Sequence, residues 1–162
     1  MFVDPLTGDL FTATKEAGRS VIFASSKAQL DAGTAIVLTS VGEVAFDVAS
    51  GTAISPAGGE IILRQEDFAL LWTRAPGQSV GAMLAGVPVS IPDVGRPTEQ
   101  NGEAIGFDPS GRGYFTLSDS SNTQPLYYFA RTNASPFTPP RSLVAAGSVW
   151  RYLDTGTDQG TA

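Results

Sequence analysis

The sequence contains no cysteine and no histidine, and lysine occurs only as Lys15 and Lys27. Without thiol and imidazole groups, the chain cannot carry thiol catalysis, a zinc site built from Cys and His, or a Ser-His-Asp triad of its own. Charged residues make up only 16%, and the net charge is −6 with 10 basic residues. Because a duplex-binding surface needs a stripe of basic residues to displace counterions, nucleic acid is not expected as a partner.

Long apolar runs are also missing. No stretch approaches the roughly 18 apolar residues that cross a bilayer, so no membrane span is expected. Residues 1–5 (Met-Phe-Val-Asp-Pro) lack the basic and apolar regions of a signal peptide. The chain does have 18 glycines and 11 prolines among 162 residues. This composition favours many short strands joined by tight turns, and therefore an all-β fold.

One short turn sequence occurs three times. Asp or Ser precedes a proline at Pro5, Pro56 and Pro109, and a glycine follows within a few residues. Pro presets φ for a turn and Gly supplies its left-handed position. A large apolar residue stands six positions after each proline: Phe11, Ile62 and Phe115. The prolines are 51 and then 53 residues apart, which indicates an internal repeat.

Each repeat unit continues with strand-like segments in the same order. Second strands are predicted at 10–14, 60–64 and 113–118, and third strands at 20–24, 68–74 and 126–131. A fourth strand is predicted in two units, at 35–39 and 88–91, and one short helical turn at 78–84. We therefore predict about three four-stranded antiparallel sheets, at about 1–48, 49–100 and 101–131. Four strands every ~50 residues are typical of a β-propeller blade; the alternative is a β-sandwich whose turns share a common sequence.

The third unit resembles a known family. Residues 102–108 (Gly-Glu-Ala-Ile-Gly-Phe-Asp), 113–118 (Gly-Tyr-Phe-Thr-Leu-Ser) and 124–129 (Gln-Pro-Leu-Tyr-Tyr-Phe) resemble blades of bacterial secreted or surface β-propeller proteins, the esterase-like phytase and TolB-like propeller group. Residues 54–56, 71–72 and 76–80 resemble the preceding blade. The resemblance covers about 1–132 and departs at 65–66, where the family tends to carry Thr-Tyr, and at 118–119, where it usually carries Ser-Glu. It implies a partial β-propeller over 1–131.

A second resemblance follows a proline-rich segment at 132–142, which is predicted to be an extended linker. Residues 143–162 resemble the opening strand of a jelly-roll module found in secreted multidomain proteins with calcineurin-like phosphoesterase domains. The two resemblances imply that this chain is a fragment of a secreted or cell-surface bacterial protein, with a signal peptide upstream. Its expected partners are the remaining blades of the parent propeller or another protein.

Two acidic residues are candidates for a metal site. Glu103 is expected just before the innermost strand of the third unit, and Asp119 on the loop after the next strand, with Asp67 as a further ligand. Carboxylate oxygens at a propeller channel can hold Ca²⁺, which then polarises a phosphoryl or ester oxygen. The alternative is that Glu103 caps a strand end or pairs with an arginine such as Arg96, and that Asp119 is a solvated loop charge. No catalytic residue and no other cofactor are predicted.

Two functions are compatible with these observations. The first is a non-catalytic propeller segment with a binding or scaffolding role, which the missing nucleophile motifs favour. The alternative is a fragment of a Ca²⁺-dependent propeller hydrolase of the phytase or lactonase kind, acting on phosphate or carboxylic esters. Aromatic residues on the strands could form a carbohydrate-stacking surface, although packing between the sheets is the favoured interpretation: Trp72, Phe107, Tyr114, Tyr127, Tyr128 and Phe129.

Overall fold

The computed structural model of the chain describes residues 1–121 and 123–132. Within them the fold is all-β, as predicted, with three antiparallel sheets and two short helices. The predicted linker after Thr132 and the jelly-roll strand within 143–162 lie outside the described residues.

The three sheets follow one another along the chain, and each has its strands in chain order. The first consists of β1 (Phe2–Val3), β2 (Leu10–Ala13), β3 (Ser20–Ser25) and β4 (Thr39–Val44). The second consists of β5 (Gly51–Ile54), β6 (Glu60–Arg64), β7 (Ala69–Thr73) and β8 (Val89–Ile91). The third consists of β9 (Gly102–Phe107), β10 (Gly113–Ser118) and β11 (Tyr127–Ala130). Three strands, rather than the four predicted, are therefore described in the third sheet.

The first hairpin has the same register in all three sheets. The residue three positions before the turn proline pairs with the residue six positions after it: Phe2 with Phe11, Ala53 with Ile62, and Gly106 with Phe115. The residue before each proline donates its N–H to a carbonyl five positions on, at 2.8–2.9 Å. In the second and third turns a glycine with φ of 70° occupies the left-handed position. The predicted repeat is thus a structural repeat.

The two helices partly match the prediction. Helix α2 (Val80–Leu84) falls within the predicted 78–84, and the side chain of Ser79 accepts a hydrogen bond from the N–H of Ala82. Helix α1 (Lys27–Asp31) was not predicted, although Ser26 and Gln29 form a capping box that stabilises its start.

The predicted fourth strand at 35–39 is wrong. Strand β4 begins at Thr39, and its register pairs Ser20 with Val44 and Ala24 with Thr39. Strand β3 therefore pairs with residues Thr39–Val44 and not with the apolar residues before them. The apolar run before Thr39 is left outside the sheet, where Val37 is 86% exposed.

The hydrophobic core lies between successive sheets. Along β6 the side chains alternate between its two faces, so Ile61 and Leu63 pack toward the first sheet, whereas Ile62 packs toward the third. The larger cluster joins the first sheet, the second sheet and α2, and includes Phe2, Phe11, Ile22, Val44, Phe46, Trp72 and Met83. The smaller cluster joins the second and third sheets, and includes Ala69 and Tyr114.

The first strands of the three sheets lie next to one another. The Met1 ammonium donates a hydrogen bond to Thr52 Oγ1 at 2.6 Å, which links β1 to β5. Ser50 Oγ donates to the carbonyl of Gly102 at 2.9 Å, and a Cβ added at Gly51 would collide with the carbonyl of Glu103. The sheets therefore stack in the order first, second, third, and none of them closes on itself.

Membrane insertion through a helix is not indicated for this part of the chain. Neither α1 nor α2, the two helices of residues 1–121 and 123–132, has the length and apolarity needed to cross a bilayer.

Candidate functional site

The most buried charged group lies between the second and third sheets. Arg64 ends β6, and its side chain is completely inaccessible to solvent. It stands eight positions after Pro56, where the other two units carry Ala13 and Leu117. A charged residue at the end of the apolar run 61–63 was the sequence signal for this feature, and it was missed.

Arg64 is held by two acidic side chains. Its Nε and Nη2 donate to the two oxygens of Asp93 at 2.8 and 3.0 Å, and Nη2 lies 3.0 Å from Glu99 Oε2. Its Nη1 donates to the carbonyl of Ala104 at 3.1 Å. A Cβ added at Gly102 would collide with the guanidinium. The third sheet therefore approaches Arg64 directly through its backbone.

The electrostatics of this group keep it charged. Burial alone would lower the pKa of Arg64, but the hydrogen bonds to Asp93 and Glu99 outweigh burial and raise it. Thr116 Oγ1 donates to Glu99 Oε2 at 2.9 Å. The other oxygen, Glu99 Oε1, is buried without a hydrogen-bond partner among the described residues. With each of its three guanidinium nitrogens bound to a protein oxygen, Arg64 is placed to hold the two sheets together.

A cleft of about 370 Å³ adjoins this group between the same two sheets. Its lining is mainly apolar and aromatic, and includes Leu71, Val89, Ile91, Phe107, Tyr114 and Phe129. The rings of Tyr114 and Phe129 stack with their centroids 5.1 Å apart and their planes 14° apart. Such a cleft suits an apolar or aromatic group of a ligand.

Tyr114 is a poor candidate for acid–base chemistry. Its hydroxyl donates a hydrogen bond to the carbonyl of Pro92. Burial, and then the negative charge of Asp93, raise the pKa of Tyr114 to about 12. The phenol is therefore neutral at physiological pH and already committed as a donor.

The predicted metal ligand Glu103 lies inside β9 rather than before it, which corrects the predicted position. Leu117 pairs with Ala104 and Ser118 with Gly102, so Glu103 is the extra residue of a β-bulge. The bulge directs its carboxylate to the Lys15 ammonium, and Glu103 Oε1 lies 2.6 Å from Lys15 Nζ.

Asp119 lies near the same ammonium. The hydrogen bond that Lys15 donates to Glu103 is the main cause that raises the pKa of Lys15, and the charges of Glu66 and Asp119 add to it. Glu103, one of the two predicted ligands, is thus bound to a cation that the chain itself supplies. In the described part of the chain, no three acidic side chains have the arrangement of a metal site. The calcium site at Glu103 and Asp119 stays a prediction.

Arg96, which the sequence offered as one arginine that could pair with Glu103, binds elsewhere. Its Nε and Nη2 lie 2.9 and 2.6 Å from the oxygens of Asp67, and its Nη1 lies 3.3 Å from Glu66. The hydrogen bond from Arg96 lowers the pKa of Asp67. Asp67, the further predicted ligand, therefore belongs to this exposed ion pair.

Two further ion pairs, which the sequence did not suggest, each link two neighbouring sheets. Arg74 and Arg131 directly follow the third strand of their sheets, and each donates its N–H to the residue three positions after the turn proline. Arg74 Nη1 reaches back to Asp4 Oδ2 in the first sheet at 2.8 Å. Arg131 Nη1 reaches back to Glu60 Oε1 in the second sheet at 2.9 Å. The second and third sheets therefore each bind the first hairpin of the sheet before it.

Comparison of the chain with protein-family models finds no match, and comparison with curated proteins finds none either. The resemblance to propeller proteins therefore stays a prediction, and the function is inferred from the residues and their arrangement.

Proposed function

We propose that the chain is a non-catalytic β-propeller segment of a secreted or cell-surface protein, with a binding or scaffolding role. The observation that carries the proposal is the stacking of three sheets that share one hairpin register. Their first strands lie side by side, as the innermost strands of propeller blades do around a channel. The secreted or cell-surface location is supported by the resemblance in the sequence.

The covering of the second sheet favours a propeller over a sandwich. A β-sandwich packs two sheets through one shared core and exposes their outer faces. Here the second sheet is covered on both faces, by the first sheet on the side of Ile61 and Leu63 and by the third on the side of Ile62. A series of sheets that each cover the next is the arrangement of blades.

The state of the ionisable groups favours binding over catalysis. Arg64 is enclosed, Tyr114 is neutral, and Glu103 is paired with Lys15. A hydrolase would need Ca²⁺ to displace that ammonium before the metal could polarise an ester. The aromatic cleft between the second and third sheets, by contrast, offers a preformed surface for a ligand.

An activity assay and calcium titration test the non-catalytic part of the proposal. We expect the full chain to hydrolyse neither a chromogenic phosphate ester nor a carboxylic ester, with or without Ca²⁺. We also expect Ca²⁺ to leave the melting temperature unchanged, both in the wild type and in Lys15→Ala, where Glu103 is freed. Lys27→Ala is the matched control. Ester turnover, or a Ca²⁺-dependent rise in melting temperature, would contradict the proposal.

A crystal structure tests the architectural part. We expect β1, β5 and β9 to be related by successive rotations about one axis. A structure in which the three first strands diverge from a common axis would overturn the propeller assignment.

A further inference from the structure

Lys27 of the first sheet is the counterpart of the two arginines that bind a preceding sheet, and no sheet precedes the first among the described residues. Lys27 packs its side chain over Gly8, three positions after Pro5. By strand register this is the position of Arg74 and Arg131, because all three residues lie three positions after the partner of the residue six places beyond the turn proline. Both arginines bind an acid of the preceding sheet. Lys27 is instead 59% exposed and pairs with Asp31, four residues further on the same short helix.

The matching acid is on the third sheet. Asp108 directly precedes Pro109, as Asp4 directly precedes Pro5. Both carboxylates accept the N–H two residues on, at 2.9 and 3.0 Å. Asp4 in addition binds Arg74 of the next sheet, whereas Asp108 binds Ser110 and the Tyr128 hydroxyl within its own sheet.

The outer face of the third sheet is apolar and has a buried counterpart. Phe115, Leu117 and Tyr128 occupy the register positions of Phe11, Ala13 and Ala24, the face by which the first sheet packs on the second. Phe115 and Tyr128 have ring centroids 4.8 Å apart, and Tyr128 is 46% exposed. An aromatic face of this kind is typical of an interface.

The outer face of the first sheet is its complement. Val3, Leu10 and Phe23 occupy the positions of Ile54, Ile61 and Leu70, the face by which the second sheet receives the first. Val3 is 51% exposed. The outer faces of the third and first sheets are therefore complementary in the same way as two sheets that pack within the chain.

We propose that two copies of this chain associate head to tail, with the third sheet of each packed on the first sheet of the other and Asp108 of one copy paired with Lys27 of its partner. The inference rests on the proposed function, because it treats the sheets as blades. Two copies would supply six sheets, and propellers typically close with four to eight. A head-to-tail contact that repeats at both junctions closes into a ring rather than a filament.

Sedimentation velocity of the full chain over a range of concentrations tests the proposal. We expect a dimer of about twice 16.9 kDa. Lys27→Glu and Asp108→Lys should each weaken dimerisation at least tenfold, because each places like charges together. The double variant Lys27→Glu/Asp108→Lys should restore most of the loss. Arg19→Glu makes the same charge change at an exposed site at the other end of β3, and should leave dimerisation unchanged.

A second variant tests the apolar part of the contact. Tyr128→Glu should give a monomer with an unchanged circular dichroism spectrum, whereas Val37→Glu, at a site 86% exposed, should still dimerise. A wild type that is monomeric at all concentrations would overturn the proposal, as would a dimer indifferent to both Lys27→Glu and Tyr128→Glu.

The crystallographic test proposed above distinguishes failure of the dimer proposal from failure of the proposed function. A monomer whose β1, β5 and β9 share one axis would overturn the dimer and support the blade arrangement. First strands that diverge from a common axis would overturn both.

Discussion

The two boundaries between the sheets combine apolar contacts and ion pairs in different proportions. Between the first and second sheets the contact is mainly apolar and partly aromatic, and the ring of Phe46 lies 5.3 Å from that of Phe68 and 6.4 Å from that of Trp72. The Arg74–Asp4 ion pair also crosses this boundary. Between the second and third sheets a buried arginine binds two carboxylates beside an open cleft. Yet the same strand, β6, faces both boundaries.

The difference shows that sheets with the same backbone register can be joined by different side-chain interactions. Alternation along β6 presents Ile61 and Leu63 to one neighbour, and Ile62 and Arg64 to the other. Apolar contacts tolerate small changes in shape, whereas a buried charge must be matched or the fold is destabilised. The second boundary should therefore respond more strongly to the loss of one charge, and the first to the loss of volume.

The largest effect is expected from Arg64→Met. It leaves Asp93 and Glu99 buried without their cation, and breaking a buried ion pair costs about 3–5 kcal/mol. Urea unfolding should show this loss in the free energy of unfolding. Arg19→Met, at an exposed pair, should change it by about 0.5 kcal/mol or less. A loss below about 1 kcal/mol for Arg64→Met would mean that the ion group does not hold the boundary.

A somewhat smaller effect is expected at the apolar boundary. Leu63 is completely buried against the first sheet, and Leu63→Ala should cost about 3 kcal/mol through lost burial and a residual cavity. The same unfolding experiment measures it, with Val37→Ala as the exposed control. If Leu63→Ala hardly changes the free energy of unfolding, the apolar cluster around Leu63 does not stabilise the first boundary.

The smallest effect is expected from Tyr114→Phe. It removes one hydrogen bond to Pro92, worth about 1 kcal/mol. It should also change the pH dependence of stability. Unfolded tyrosine has a pKa of about 10, whereas burial raises the pKa of Tyr114 to about 12. The neutral phenol therefore stabilises the fold fully below pH 10, and this contribution is lost as the pH rises from about 10 to 12.

Two measurements check this pH dependence. The free energy of unfolding of the wild type should fall more steeply than that of Tyr114→Phe between pH 10 and 12. Tyrosinate absorbance of the folded wild type should include a late-titrating group that the variant lacks. Parallel curves for the two proteins would contradict the assigned cause.

The sheets were predictable from the sequence because the turns that bound them are local. The prolines and glycines of each first hairpin act within six residues, so their spacing located three sheets. Helix α1 was equally local, and its capping box at Ser26 and Gln29 could have been found. Strand β4 was misplaced because its register depends on pairing with β3, which an apolar run alone does not encode.

The candidate sites were harder to predict because their contacts are not local. Arg64 meets Asp93 29 residues away, and Glu103 meets Lys15 88 residues away. Charge type alone could not choose between Arg96 and Lys15 as the partner of Glu103. That choice depends on how the third sheet packs against the other two, and on the bulge that turns Glu103 toward Lys15.

Because Gly102 approaches Arg64 closely, the residues allowed at these two positions depend on each other. A Cβ at position 102 would meet the guanidinium, so a larger residue there is compatible only with a shorter one at position 64. Once Arg64 is shortened, Asp93 and Glu99 lose their cation and have to change as well. In related sequences these four positions should therefore covary as a set, while Ala13 and Leu117, at the register positions of Arg64 in the other sheets, should drift independently of them.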